Sequence, residues 1–149
     1  MPRRTPAQAL LWFTVAIPLF LAIAGLAVDG GVLLASRRQL QSVADGAARA
    51  GATRLDVARL RDSGGAEVQL DRDQAVSTAN AYLARELAVE TTWQTSPRVQ
   101  VETTGRRVHV VIQTTLQTAF LRIVHIDQVP VEASAFADVE YGVRGGTGT

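Results

Sequence analysis

Residues 7–52 read AQALLWFTVAIPLFLAIAGLAVDGGVLLASRRQLQSVADGAARAGA, and the reading of that stretch decides the fold. Its first 22 residues, Ala7 to Val28, carry no charge. At ~1.5 Å per helical residue they extend about 33 Å, enough to cross a hydrocarbon core of roughly 30 Å with slight tilt. No proline or turn cluster follows, so the same helix is expected to continue out of the membrane. Pro18 lies mid-span, where its ring meets the carbonyl of Thr14, and a kink near Thr14 to Pro18 is expected.

Working outward on the N-terminal side, Arg3 and Arg4 precede the span, whereas its other flank begins with Asp29 and reaches Arg37 and Arg38 two turns later. The positive-inside rule then keeps the N-terminus in the cytoplasm. A rival reading is a cleaved secretory signal, with Leu10 to Leu21 as its apolar core and Ala22-Ile23-Ala24 as the cleavage site before Gly25. Against it, the apolar pattern continues through Leu26, Val28, Val32, Leu33 and Leu34.

Beyond the span, Leu40, Val43, Ala44, Ala47, Gly51, Leu55 and Ala58 recur at three- and four-residue steps, the stripe of an amphipathic helix. Small residues four apart (Ala44, Ala48 and Ala52; Ala47 and Gly51) allow another backbone to approach closely. That backbone belongs either to the chain's own domain or to a neighbouring subunit. Asp29 invites a similar choice: an ionisable group at the end of a span is costly unless it reaches water, headgroups or a partner. Interfacial solvation is one account, and pairing with a base on a neighbouring subunit to set axial register is the other.

The order of residues is more specific than the periodicity. A proline-containing apolar span followed by Asp29, Gly30 or Gly31, Arg37, Arg38, Leu40, Gln41, Asp45 and Ala50-Gly51-Ala52 resembles the N-terminal segment of the TadE/TadG-like proteins of the tight adherence (Flp/Tad) pilus system. The match covers about a third of the chain. Family members processed by a prepilin peptidase carry a Gly before the apolar run and a Glu early within it. Here Thr5-Pro6-Ala7-Gln8 leads into the run with no acid before Asp29, so such processing is not carried over. Longer TadG-like members also have a large domain with metal-dependent adhesion character, for which this sequence is too short, and its adhesive activity is not transferred.

Further along, Ser63-Gly64-Gly65 within Arg61 to Glu67 reads as the loop ending the long helix. Asp71 and Gln74 form a capping-box pattern opening a second helix with Ala75, Val76, Ala79, Tyr82, Leu83 and Leu87 on its apolar face, running to about Val89. The period then changes to two. Val99, Val101 and Thr103 alternate with polar residues, Thr104-Gly105 supplies a turn, and Val108, Val110 and Ile112 continue the alternation, which predicts a hairpin. Residues 118–126 (TAFLRIVHI) read as a short helix or turn plugging one end of the core. Val129 to Val139 reads as a third strand with an apolar face of Val and Ala, and Pro130 near its start favours an edge strand or an initial unpaired position. Arg144 to Thr149 is Gly- and Thr-rich and is expected to be disordered.

Composition narrows the function classes. Among 149 residues, 47% are hydrophobic but only 5% aromatic, so a thin core built from Ala, Val and Leu is expected. A net charge of +1 with interleaved acids and bases offers no patch for nucleic acid. The chain has no Cys, which excludes disulfides and thiolate metal sites. His109 and His125 lack a second ligand at metal spacing. No nucleophile elbow, phosphate loop or H-E-x-x-H occurs. Neither an enzyme nor a cofactor or small-molecule substrate is expected.

The expectation is therefore an α+β protein with a cytoplasmic tail over 1–6, a transmembrane segment over 7–28, and an extracytoplasmic continuation of the long helix over 29–60. A small domain over 61–143 packs the second helix on a three-stranded antiparallel sheet, pilin-like in outline, before a tail over 144–149. Candidate membrane and assembly positions are Pro18, Gly25, Asp29, Arg37, Arg38, Leu40, Gln41, Asp45, Ala47 and Gly51. The resemblance implies a single-pass protein of the bacterial cytoplasmic membrane. It would act as a minor pilin-like or assembly component that packs against other Tad pilus or inner-membrane subunits, or against itself. The alternative is a secreted or membrane-anchored binding module unrelated to pili.

Overall fold

The structure, a computed structural model, describes residues 6–89 and 96–139. Arg3, Arg4 and the tail over 144–149 lie outside the described residues. Helix α1 (Pro6–Ala52) is a single helix of 47 residues, about 70 Å long at ~1.5 Å per residue. It passes through Pro18 without a break, and the Thr14 hydroxyl donates to the Leu10 carbonyl at 2.9 Å one turn earlier. Its most apolar 18-residue window has a mean hydropathy of 2.3, long and apolar enough to cross a membrane. Every large apolar side chain from Leu10 to Val28 is more than half exposed, as lipid contact requires.

The continuation out of the span ends earlier than the stripe suggests. Helix α1 stops at Ala52; the Arg54 amide then donates to the Gly51 carbonyl at 3.1 Å, and Leu55 forms an isolated bridge to Leu70. A separate short helix, α2 (Val57–Asp62), begins at Asp56, whose carboxylate accepts the Arg59 amide at 3.0 Å. The long helix therefore does not extend to residue 60, because an N-capping Asp starts a new helix there and Ala58 is exposed on it. The capping of α3 (Arg72–Val89) follows the sequence: Asp71 accepts the Gln74 amide at 3.1 Å. Ala75, Ala79 and Leu83 are buried, with Val76, Tyr82 and Leu87 half-buried beside them.

Strands β1 (Arg98–Thr104), β2 (Arg107–Gln117) and β3 (Gln128–Asp138) form one antiparallel sheet in the order β1-β2-β3. The β1–β2 loop has two residues, and its first, Gly105, takes φ +54, a value that a side chain would strain. Pro130 lies on edge strand β3 opposite Thr115, where its missing amide proton leaves the rest of the ladder intact. Helices α1 and α3 cover one face of the sheet. Leu40, Val108, Val110 and Ile112 are the largest fully buried side chains, and Ala44, Ala47, Ala48, Ala133 and Ala135 close the remaining gap. Burying a residue such as Leu40 contributes about 1.5–3 kcal/mol.

Two glycines of α1 mark how near its neighbours come. A Cβ at Gly51 would stand 3.1 Å from the Ala75 carbonyl oxygen and 3.2 Å from Val108 Cγ1, and one at Gly46 would lie 2.7 Å from Tyr82 Cζ. The small-residue stripe thus receives this chain's own sheet and α3.

The segment over 118–126 does not plug the core. Its 3-10 turn (Leu121–Val124) sits at the tip of a long β2–β3 hairpin, and Phe120, Ile123 and Ile126 are exposed. The hairpin runs back along α1 and carries these side chains away from the buried cluster to the end of the apolar run.

Candidate functional site

The junction between span and domain is organised by Asp29. It is the first charged residue after the apolar run, yet it is only 4% exposed. Its Oδ1 accepts the Ala119 amide at 3.0 Å, and its Oδ2 accepts the amides of Phe120 at 2.9 Å and Leu121 at 2.7 Å. A carboxylate with only acceptors meets three consecutive donors that open a 3-10 turn and have no partner within it. One turn below, Gly25 is buried because Phe120 lies on it; a Cβ there would stand 2.7 Å from Phe120 Cβ. The tip is closed on its other side by the Thr118 amide, which donates to the Asp127 carbonyl at 3.1 Å, and by the Thr118 hydroxyl, which donates to the Ile126 carbonyl.

The structure therefore gives Asp29 main-chain partners within its own chain, a third account beside the two weighed from sequence. No local pattern signals it, because the donors lie 90 to 92 residues away and main-chain amides leave no trace in side-chain spacing.

The other candidate positions on α1 range from buried to exposed. Leu40, Ala47 and Gly51 are buried in the chain's own core. Gln41 donates through Nε2 to the Ser134 carbonyl of β3 at 2.8 Å and to Asp45 Oδ1 at 3.3 Å, tying α1 to the edge strand. Asp45 is half-buried and lines a shallow groove with Arg38, Ser42, Arg49 and Tyr82. Arg37 and Arg38 are exposed, and Pro18 lies in the exposed apolar half. A Cβ at Gly30 or Gly31 would meet no atom within 4 Å, so the backbone there is open.

Elsewhere polar pairs are structural. Arg107 makes a two-pronged contact with Asp138 at 2.7 and 2.8 Å and lies over the Phe136 ring at 4.9 Å. The Arg107 hydrogen bond holds the Asp138 carboxyl below its ordinary value. Gln113 bonds Glu132 at 2.8 Å beside a cleft that also contains Arg98. His109 lies in β2 and His125 follows the 3-10 turn with φ +64. Among the described residues, no group of three His, Cys, Asp or Glu side chains could hold a metal ion.

A long helix, apolar and exposed over its first half, carries a small α+β domain along its upper half, and that first half is long and apolar enough to cross a membrane. Residues 7–54 match the model of the Flp pilus-assembly TadE/G-like family, so the resemblance holds across α1 and the two residues after it. That match supports, in general terms, a component of a Tad-type pilus assembly system. No curated protein and no solved structure matches the chain.

Proposed function

We propose that the protein is a structural, minor pilin-like subunit or assembly component of a Tad-type pilus machine. It is anchored by α1 with its N-terminus in the cytoplasm and its domain outside, and it acts by helix packing rather than turnover. The observation that carries this reading is the match of residues 7–54 to the pilus-assembly family, which falls on the helix that is exposed to its surroundings.

The geometry of α1 supports one packing face over another. Phe20, Ala24, Gly31, Arg38, Ser42 and Arg49 recur at steps of four and seven residues on one side of the helix, and all six are exposed. The opposite side carries Leu40, Ala44, Ala47 and Gly51 and is filled by the chain's own domain. Lateral contacts in this reading use the first side, with apolar packing below Asp29 and polar contacts above it.

Deleting the gene and restoring the full chain tests the assignment. Loss of surface pili on deletion, with recovery on complementation, is expected. Unchanged pilus number and length without the protein would remove it from the machine.

A further inference from the structure

We propose that the β2–β3 hairpin tip, residues 118–126, dips into the interfacial and upper acyl region of the same bilayer that α1 crosses. The protein would then enter the membrane twice, by a span and by a wedge lying against it. This rests on the membrane-anchor reading of α1.

The level of the tip is the first argument. Phe120 packs on Gly25, which lies inside the uncharged run and one helical turn, roughly 6 Å, below Asp29. Any bilayer position that covers Ala7 to Val28 brings Phe120 to the edge of the hydrocarbon.

The second argument is what the tip presents there. Phe120 is 46% exposed, Ile123 76% and Ile126 45%, and Phe120 lies directly on α1 at Gly25. The domain has little use for such exposed side chains in water; the exposed Phe136 on the sheet, by contrast, carries Arg107 over its ring. Arg122 and His125 are exposed at the same tip, and polar side chains of this kind meet lipid headgroups.

The third argument is the main chain. Non-helical backbone entering lipid must have its polar groups satisfied within the protein. The amides of Ala119, Phe120 and Leu121 donate to Asp29, those of Ile123, His125 and Ile126 donate to carbonyls of the tip itself, and that of Thr118 donates to the adjoining Asp127 carbonyl. The amides of the tip are thus paired within the protein, as a loop leaving water requires.

The chain lacks cysteine, so single labels can be placed cleanly on the full-length protein in vesicles of phosphatidylethanolamine and phosphatidylglycerol. Nitroxides at Ile123→Cys, Phe20→Cys and Phe136→Cys are compared for collision with oxygen and with a water-soluble nickel chelate. The ratio of oxygen to nickel collisions at position 123 should exceed that at 136 several-fold and approach that at 20. If 123 matches 136 while 20 is lipid-like, the tip lies in water and the proposal fails with the anchor intact. If 20 also matches 136, the anchor reading fails too. Exclusion of both reagents at 123 would mean that protein covers the tip, which also overturns the proposal.

Discussion

The Asp29 carboxylate accepts the main-chain amide of Leu121 at 2.7 Å, joining the end of the apolar run to a hairpin tip 92 residues later. With the adjoining bonds to Ala119 and Phe120 it fixes the height of the domain along α1. Rotation of the domain about the helix is fixed separately, by the bond from Gln41 to Ser134 and by the buried face of α1.

Replacing Asp29 with Ala leaves three amides without acceptors, and the expected result is a lower melting temperature with faster hydrogen exchange at residues 119–121. Asp29→Asn should lie between, since its side chain keeps one acceptor oxygen. Wild-type exchange at these amides in the Ala variant would mean that the carboxylate does not hold the tip.

Leu40→Ala should destabilise the domain by about 2–5 kcal/mol in denaturant unfolding of the detergent-solubilised protein, because a fully buried side chain is removed from a core with little to relax into it. Arg38→Ala, on the exposed face two residues earlier, should stay within about 0.5 kcal/mol of wild type. Equal effects at the two positions would contradict the assignment of faces.

At Gly51 the close approach of the Ala75 carbonyl and Val108 predicts that Gly51→Leu overpacks the core, at about 1–3 kcal/mol. Gly25→Leu should act differently, pushing Phe120 off α1. Exchange should rise at the tip while core amides of β2 keep wild-type protection, and a core that loosened equally would argue against a separate tip.

Arg107 holds the Asp138 carboxyl below its ordinary value of 3.8, so the ion pair's contribution is fully present above that value. It is lost as the pH falls through the lowered value. Acid unfolding should therefore begin with a slightly shallower slope in Asp138→Asn than in wild type. The difference is small, because both side chains are about half exposed.

The sequence made the elements legible where one periodicity ran without competition. The span, α3 with its Asp71 cap, and the alternation of Val108, Val110 and Ile112 each follow from local pattern. It misled at Leu55 and Ala58, which prolong the stripe arithmetically while Asp56 restarts the helix. It misled again at Phe120 and Ile126, where apolar character says that a residue avoids water but not whether protein or lipid receives it. The candidate positions on α1 suffered the same ambiguity. Small residues at four-residue steps announce a close backbone, and only the tertiary structure assigns it to β2, β3 and α3 of the same chain.

Disulfide formation in cells between single cysteines on α1 tests the central claim most directly, that one face of this helix holds the domain and the other meets neighbouring subunits. Gly31→Cys, Ser42→Cys and Arg49→Cys should give an intersubunit product, and Ala44→Cys and Ala48→Cys should not. No product from the first three at normal protein abundance, or the strongest product from Ala44 or Ala48, would contradict the account.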